Sequence, residues 1–165
     1  LFFLIVTLGL IAAVSSAGSS PFGSGDCQVS DKFPPKVQRW CGAITMHAQE
    51  NHLDPDLVAA LIWHESGGNA KAYSKSGAVG LMQVMPRDGL AAGFMCKDKP
   101  CFEDRPSIRE LEDPDFNIQY GTRLLARLAR HNRGNLRDAL KDYGPMDVNY
   151  RYADTILGLF HSYRN

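Results

Sequence analysis

The chain has 165 residues, and its 18 basic and 18 acidic side chains cancel to a formal net charge of zero. That balance removes the electrostatic case for nucleic-acid binding, which needs a basic patch or stripe. The length suits one domain around a single core, and four cysteines in an exported protein read first as two disulfides.

Leu1 to Val14 is an almost unbroken apolar run, followed by the small residues Ser15, Ser16 and Ala17. An apolar core and then a small-x-small site is the pattern of a secretory signal peptide. The initiating Met and a basic n-region are missing, so residues 1–17 read as the latter part of a signal. The competing reading is an N-terminal membrane anchor with further apolar sequence upstream, since this run is shorter than the ~20 residues of a bilayer span. Cys27 lies too far beyond the run to be a lipidated first residue. Residues 18–33, rich in Gly, Ser and Pro at their start, read as a linker. The domain is then residues 34–165, and the localisation is extracytoplasmic.

Helical signals dominate from there. Pro34-Pro35 starts a helix through Val37, Trp40, Ile44 and His47, with apolar residues every three or four positions. Asp54-Pro55 is an N-cap followed by Pro at the first helical position, and Gly67-Gly68 ends that helix three turns later. Asp113-Pro114 repeats the start signal for a longer helix whose Ile118, Gly121, Leu125 and Leu128 share a face. Asn135 opens a short helix through Leu136 and Leu140, and a last helix carries Tyr152, Ile156, Leu159 and Tyr163 on its apolar side. Only Tyr73 to Met85 lacks this period. Gly77 and Gly80 there predict turns, giving a short β-hairpin or an irregular segment around residues 73–85. The fold class is mostly α.

Among the cysteines, Cys96 and Cys101 flank Lys99-Pro100, a dipeptide able to turn the chain, so they form one expected bridge. Cys27 and Cys41 are left for the other, although four cysteines permit three pairings. A zinc site is the weaker reading, because no CxxC is present and the five histidines have no ligand spacing. No metal and no cofactor is expected.

The residue that draws the chemistry is Glu65. It follows Leu61 by four positions and Ile62 by three, so it continues the apolar stripe of its helix. Burial and the negative end of the helix dipole both disfavour a carboxylate there and raise its pKa. A carboxyl group that stays protonated near neutral pH is what a general acid needs to protonate a leaving glycosidic oxygen. On the helix alone, a rim Glu bonded to a backbone amide or an Arg is the better explanation of the position.

Three segments in order decide between these readings. Glu65-Ser66 is followed by Gly80-Leu81-Met82-Gln83 with Met85-Pro86, and then by Asn117-Ile118 with Gly121 and Leu124-Leu125. The set resembles the family 1 lytic transglycosylases, the soluble-lytic-transglycosylase-like domains related to goose-type lysozyme. The resemblance covers roughly residues 36–163 and implies a lysozyme-like helical fold. It implies that Glu65 is the catalytic acid/base, that Ser74 lies near it, and that Gln83 and Met82 line the sugar groove. Asn117 is implied to hold its helix against the cleft, with a weaker claim to the substrate. Tyr143 is implied to offer its hydroxyl to the carboxyl group or the sugar. Where the family has Ala-Tyr-Asn and then Ala-Gly, this chain has Asp142-Tyr143-Gly144-Pro145, so the Asn is missing and the loop is shortened. Cys96 to Cys101 belongs to a segment that looks like a variable insertion.

Activity follows from the same resemblance. The implied substrate is the peptidoglycan glycan strand, cut at the β-1,4 bond between N-acetylmuramic acid and N-acetylglucosamine. Most glycosidases use two carboxylates, but no second acid stands in a motif here; Asp88 and Asp104 are only possible neighbours. The family manages with one, because the sugar's own 6-hydroxyl replaces water and closes a 1,6-anhydro ring. A lysozyme-type hydrolase of the same fold and a non-catalytic glycan-binding cell-surface module are the alternatives.

Overall fold

A computed structural model describes residues 27–164. Residues 1–26, which hold the expected signal or anchor and most of the expected linker, lie outside the described residues. The described elements run α1 (Pro35–Gln38), α2 (Cys41–Glu50), α3 (Pro55–Ser66), a 3-10 turn (Gly89–Gly93), β1 (Met95–Cys96), β2 (Lys99–Pro100), α4 (Ile108–Leu111), α5 (Pro114–His131), α6 (Leu136–Tyr143) and α7 (Arg151–Tyr163). Among the described residues, no helix is long and apolar enough to cross a membrane.

The middle of the domain is α3. Every residue from Leu57 to Ile62 is fully buried, because α2 packs on one side of the helix and α7 on another. Such a helix is apolar all round rather than amphipathic. Full burial of each of Leu57, Val58, Leu61 and Ile62 contributes about 1.5–3 kcal/mol. Its ends follow the sequence signals closely. The Asp54 side chain accepts from the Asp56 N–H at 2.9 Å, Pro55 occupies the first turn, and Gly67 closes the helix in the left-handed region at φ 59°. Asp113 and Asn135 cap α5 and α6 in the same way. Helix α5 lies against α2, α4 and α6, and α6 lies against α7.

Two expectations are corrected, and a third resolves to one of its two alternatives. The single helix expected from Pro35 to His47 is broken at Arg39-Trp40 into α1 and α2. The break turns the Trp40 indole toward Gly68, whose carbonyl accepts from Nε1 at 3.0 Å. The segment 73–85 is the irregular one of its two expected forms, with isolated bridges Tyr73 to Val79 and Val79 to Val84, and the two-stranded hairpin is β1–β2. Its turn is Lys97-Asp98, with Lys97 at φ 57°, and Lys99-Pro100 forms the second strand. Finally, the end of the expected linker packs into the domain. Val29 and Phe33 are buried, the Ser30 N–H donates to the buried Asp56 carboxylate at 2.7 Å, and Phe33 stacks on Tyr163 at 4.7 Å. The Cys27–Cys41 bridge ties this strap to the start of α2, and Cys96–Cys101 closes the hairpin. Both pairings are those expected from the sequence.

Candidate active site

Glu65 stands in the last turn of α3, and the chain just after it is held from two directions. Gly68 is pressed against the backbone of α1, so that a Cβ there would fall 2.3 Å from the Lys36 carbonyl oxygen. Arg39 and Trp40 both donate to the Gly68 carbonyl. The Ser66 hydroxyl contacts the Ile62 carbonyl within its own helix and the Leu81 carbonyl at 2.8 Å. The Glu65-Ser66 pair thus fastens the helix end to the Gly80–Gln83 segment.

That segment is a tight reversal. Val79 and Val84 exchange backbone hydrogen bonds at 3.0 and 3.1 Å, and Gly80 turns the chain at φ 78°. Asn117 of α5, fully buried, nails it down. Its Oδ1 accepts from the Met82 N–H at 2.9 Å, and its Nδ2 donates to the carbonyls of Val79 and Leu111 at 2.9 and 3.0 Å. A Cβ at Gly80 would lie 2.2 Å from that Nδ2, and one at Gly121 would lie 2.5 Å from the Met82 sulfur. The spacing of the three motifs therefore has a packing reason: α3, the reversal and α5 meet at Ser66, Leu81, Met82, Asn117 and Gly121.

These contacts sort the expected site residues. Met82 is fully buried against Gly121 and Thr122, so its side chain is core and does not line a groove. Asn117 spends its amide on backbone groups and acts as the clamp. Tyr143 donates to the Met82 carbonyl at 2.8 Å, supporting the reversal from α6 rather than bonding Glu65. Gln83 is partly buried with the strained φ of 45°, and its Nε2 donates to the carbonyls of Ala72 and Gly80. Its Oε1 remains as an acceptor. Ser74 organises its own turn, its Oγ accepting from the Ala78 N–H at 2.9 Å, which leaves its O–H to donate.

The group that reaches the carboxyl is Tyr152 of α7, which donates to Glu65 Oε1. In the sequence, Tyr152 is marked only as a position on the apolar side of the last helix. The available signal was that a buried tyrosine needs a partner for its hydroxyl. Burial raises the Glu65 pKa from 4.5 to about 7, and the Tyr152 hydrogen bond opposes that rise. Among the described residues, no carboxylate contributes to the shift. Asp88 is exposed and caps the Ile108 N–H at 2.8 Å, and Asp104 is exposed as well. Burial next to Glu65 also pushes the Tyr152 and Tyr143 hydroxyls far above their ordinary range, so both stay protonated as donors.

The arrangement is a single carboxyl group poised between acid and base near neutral pH, with one oxygen held and the other unassigned. Comparisons with known proteins bear on the fold and the family. The lytic transglycosylase Slt of Pseudomonas aeruginosa, solved as an inactive mutant, superposes with a TM-score of 0.51 over 73% of this chain and 23% of that one, at 24% identity. The fold is shared. The membrane-bound lytic murein transglycosylase E of Buchnera aphidicola is 35% identical over 94 residues, 57% of this chain and 41% of that protein. The endo-type membrane-bound lytic murein transglycosylase A of Klebsiella pneumoniae is 38% identical over 86 residues, 52% of this chain and 41% of that protein. The chain thus spans about two-fifths of the length of these relatives. The transglycosylase SLT domain family matches residues 42–149, which include Glu65, the Gly80–Gln83 reversal and Asn117, and the chain belongs to that family.

Proposed function

We propose that the protein is an extracytoplasmic peptidoglycan lytic transglycosylase in which Glu65 serves as both acid and base. The observation that carries the reading is the lone carboxyl group with a pKa of about 7, held at Oε1 by Tyr152. The names of the relatives, which are lytic murein transglycosylases, point to the same substrate.

With Oε1 engaged, the proton sits on Oε2 and is given to the glycosidic oxygen as the bond from C1 of N-acetylmuramic acid breaks. N-acetylglucosamine leaves as an alcohol. The Glu65 carboxylate then takes the proton of the muramic acid 6-hydroxyl, O6 bonds to C1, and the 1,6-anhydro ring closes. Glu65 ends protonated, as it began, and no water is consumed. The tethered hydroxyl has the entropic advantage of an intramolecular nucleophile, which removes the need for a second carboxylate to hold water. Gln83 Oε1 and the Ser74 hydroxyl supply the acceptor and donor for the sugar's polar groups. An N-terminal signal or anchor would deliver the domain to the cell wall.

The test is Glu65→Gln, which keeps the shape and cannot cycle a proton. Clearing of purified cell walls should fall by at least ~10²–10⁴-fold, the usual worth of general acid/base catalysis. Clearing near the wild-type rate would remove Glu65 from the mechanism.

A further inference from the structure

Tyr152 does not reach Glu65 by its own helix alone; the space for its ring is made by a glycine on another element. Gly144 is the C-cap of α6, with its N–H donating to the Leu140 carbonyl at 3.0 Å. A Cβ at position 144 would lie 2.4 Å from Tyr152 Cδ1, 2.6 Å from Cγ and 2.8 Å from Cε1. Three atoms of one ring at such distances mean that the ring rests directly on the Gly144 backbone. The backbone angles there, φ −77° and ψ −174°, are open to any residue. Glycine is therefore demanded at 144 by the ring and not by the chain's conformation.

Neither partner is free to retreat. The preceding residue, Tyr143, is tied by its hydroxyl to the Met82 carbonyl, and Tyr152 is itself buried in the core at the start of α7. The ring has a second neighbour on α3, the His64 imidazole, which meets it edge-on with centroids 5.2 Å apart and planes at 81°. His64 directly precedes Glu65, so the end of α3 delivers both the wall of the seat and the group the hydroxyl must meet.

We propose that Gly144, with His64, is a positioning residue that seats the Tyr152 ring so that its hydroxyl holds Glu65 Oε1. The Tyr143-Gly144-Pro145 sequence, where the Asn expected from family resemblance is missing, thereby has a role of its own. It leaves out a side chain so that α7 can close on the carboxyl group. The inference rests on the proposal that Glu65 is the acid of a glycan-cleaving enzyme.

The experiment is a double-mutant cycle of Gly144→Ala and Tyr152→Ala, read by kcat and KM on purified peptidoglycan across pH. The Glu65 carboxyl pKa is followed in parallel by NMR titration. The groups that bear on this carboxyl are Tyr152 from α7 and Tyr143 from α6, and those that bear on the Tyr152 hydroxyl are Glu65 and Tyr143. Gly144→Ala should lower kcat by about 10–100-fold, the usual cost of a misplacement near 1 Å, with KM changed far less. It should also raise the Glu65 pKa, as loss of the Tyr152 hydrogen bond would. In the Tyr152→Ala background, the same substitution should change nothing further. Wild-type kcat and pKa in Gly144→Ala, or a loss that adds fully to that of Tyr152→Ala, would overturn the assignment. If Gly144→Ala alone does not fold, the double variant decides. Recovery of the folded state with the activity of Tyr152→Ala supports the seat, and a persisting defect overturns it. A wild-type protein that cuts no glycan, yet whose Glu65 pKa moves in Gly144→Ala, would sink the proposed function and leave the positioning role standing.

Discussion

Tyr152 and Glu65, 87 residues apart in sequence, meet in a hydrogen bond from the phenolic hydroxyl to Oε1. Two opposed effects set the acid through this pairing. Burial pushes the Glu65 pKa up and the tyrosine's hydrogen bond pulls it back, leaving it at about 7. Tyr152→Phe keeps the ring and deletes only the pull. Its pH–rate profile should show the descending alkaline limb displaced to higher pH, since the acid then keeps its proton longer. The rate on the plateau should fall by up to about 10²-fold as the carboxyl loses its fixed orientation. An unmoved limb would mean that the hydroxyl does not tune the acid.

The same shift has a thermodynamic consequence. The folded protein binds the Glu65 proton more tightly than the unfolded chain does, because the pKa rises from 4.5 to about 7 on folding. Stability from this group is complete below about pH 4.5 and is lost as pH climbs through about 7. Glu65→Gln removes that dependence. The variant should match the wild type near pH 4 and exceed it at pH 8 by on the order of 3 kcal/mol, measured by urea unfolding at both values. Equal stability at pH 8 would show that the carboxyl is not held in a desolvated site.

Asn117 supports the reversal through three backbone bonds, and each lost partner would stay buried. An unsatisfied buried polar group costs ~1–3 kcal/mol. Asn117→Ala should therefore destabilise the fold by about 3 kcal/mol or more in urea. Its activity at a temperature where it remains folded should also fall, since the Met82–Gln83 backbone loses its anchor. A variant as stable as the parent would mean that water or another group replaces the amide.

The parts of this molecule that were legible beforehand are those written in local chemistry. Asp54-Pro55 and Gly67, Asp113-Pro114 and Asn135 declare helix ends because capping is settled within a few residues. Glu65 stands out as a carboxyl group continuing an apolar stripe, but it is the three ordered motifs that single it out. The break at Arg39-Trp40 was not legible, since it depends on an indole finding a carbonyl 28 residues away. Met82 is placed in the groove by family resemblance alone, and only the approach of Gly121 shows that its side chain turns inward. Tyr152 was hidden by its own regular spacing with Ile156. A stripe position gives no hint that the far end of the side chain belongs to the site.

The most direct test of a carboxyl group that works alone is the structure of its product. Peptidoglycan digested by the protein in heavy-oxygen water should release fragments ending in 1,6-anhydromuramic acid, lighter than the hydrolytic product by one water. These fragments should carry no heavy oxygen and no reducing end by mass spectrometry. Fragments with free reducing ends labelled by the solvent would contradict the account, because they require a water held and activated by a base that Glu65 alone does not supply.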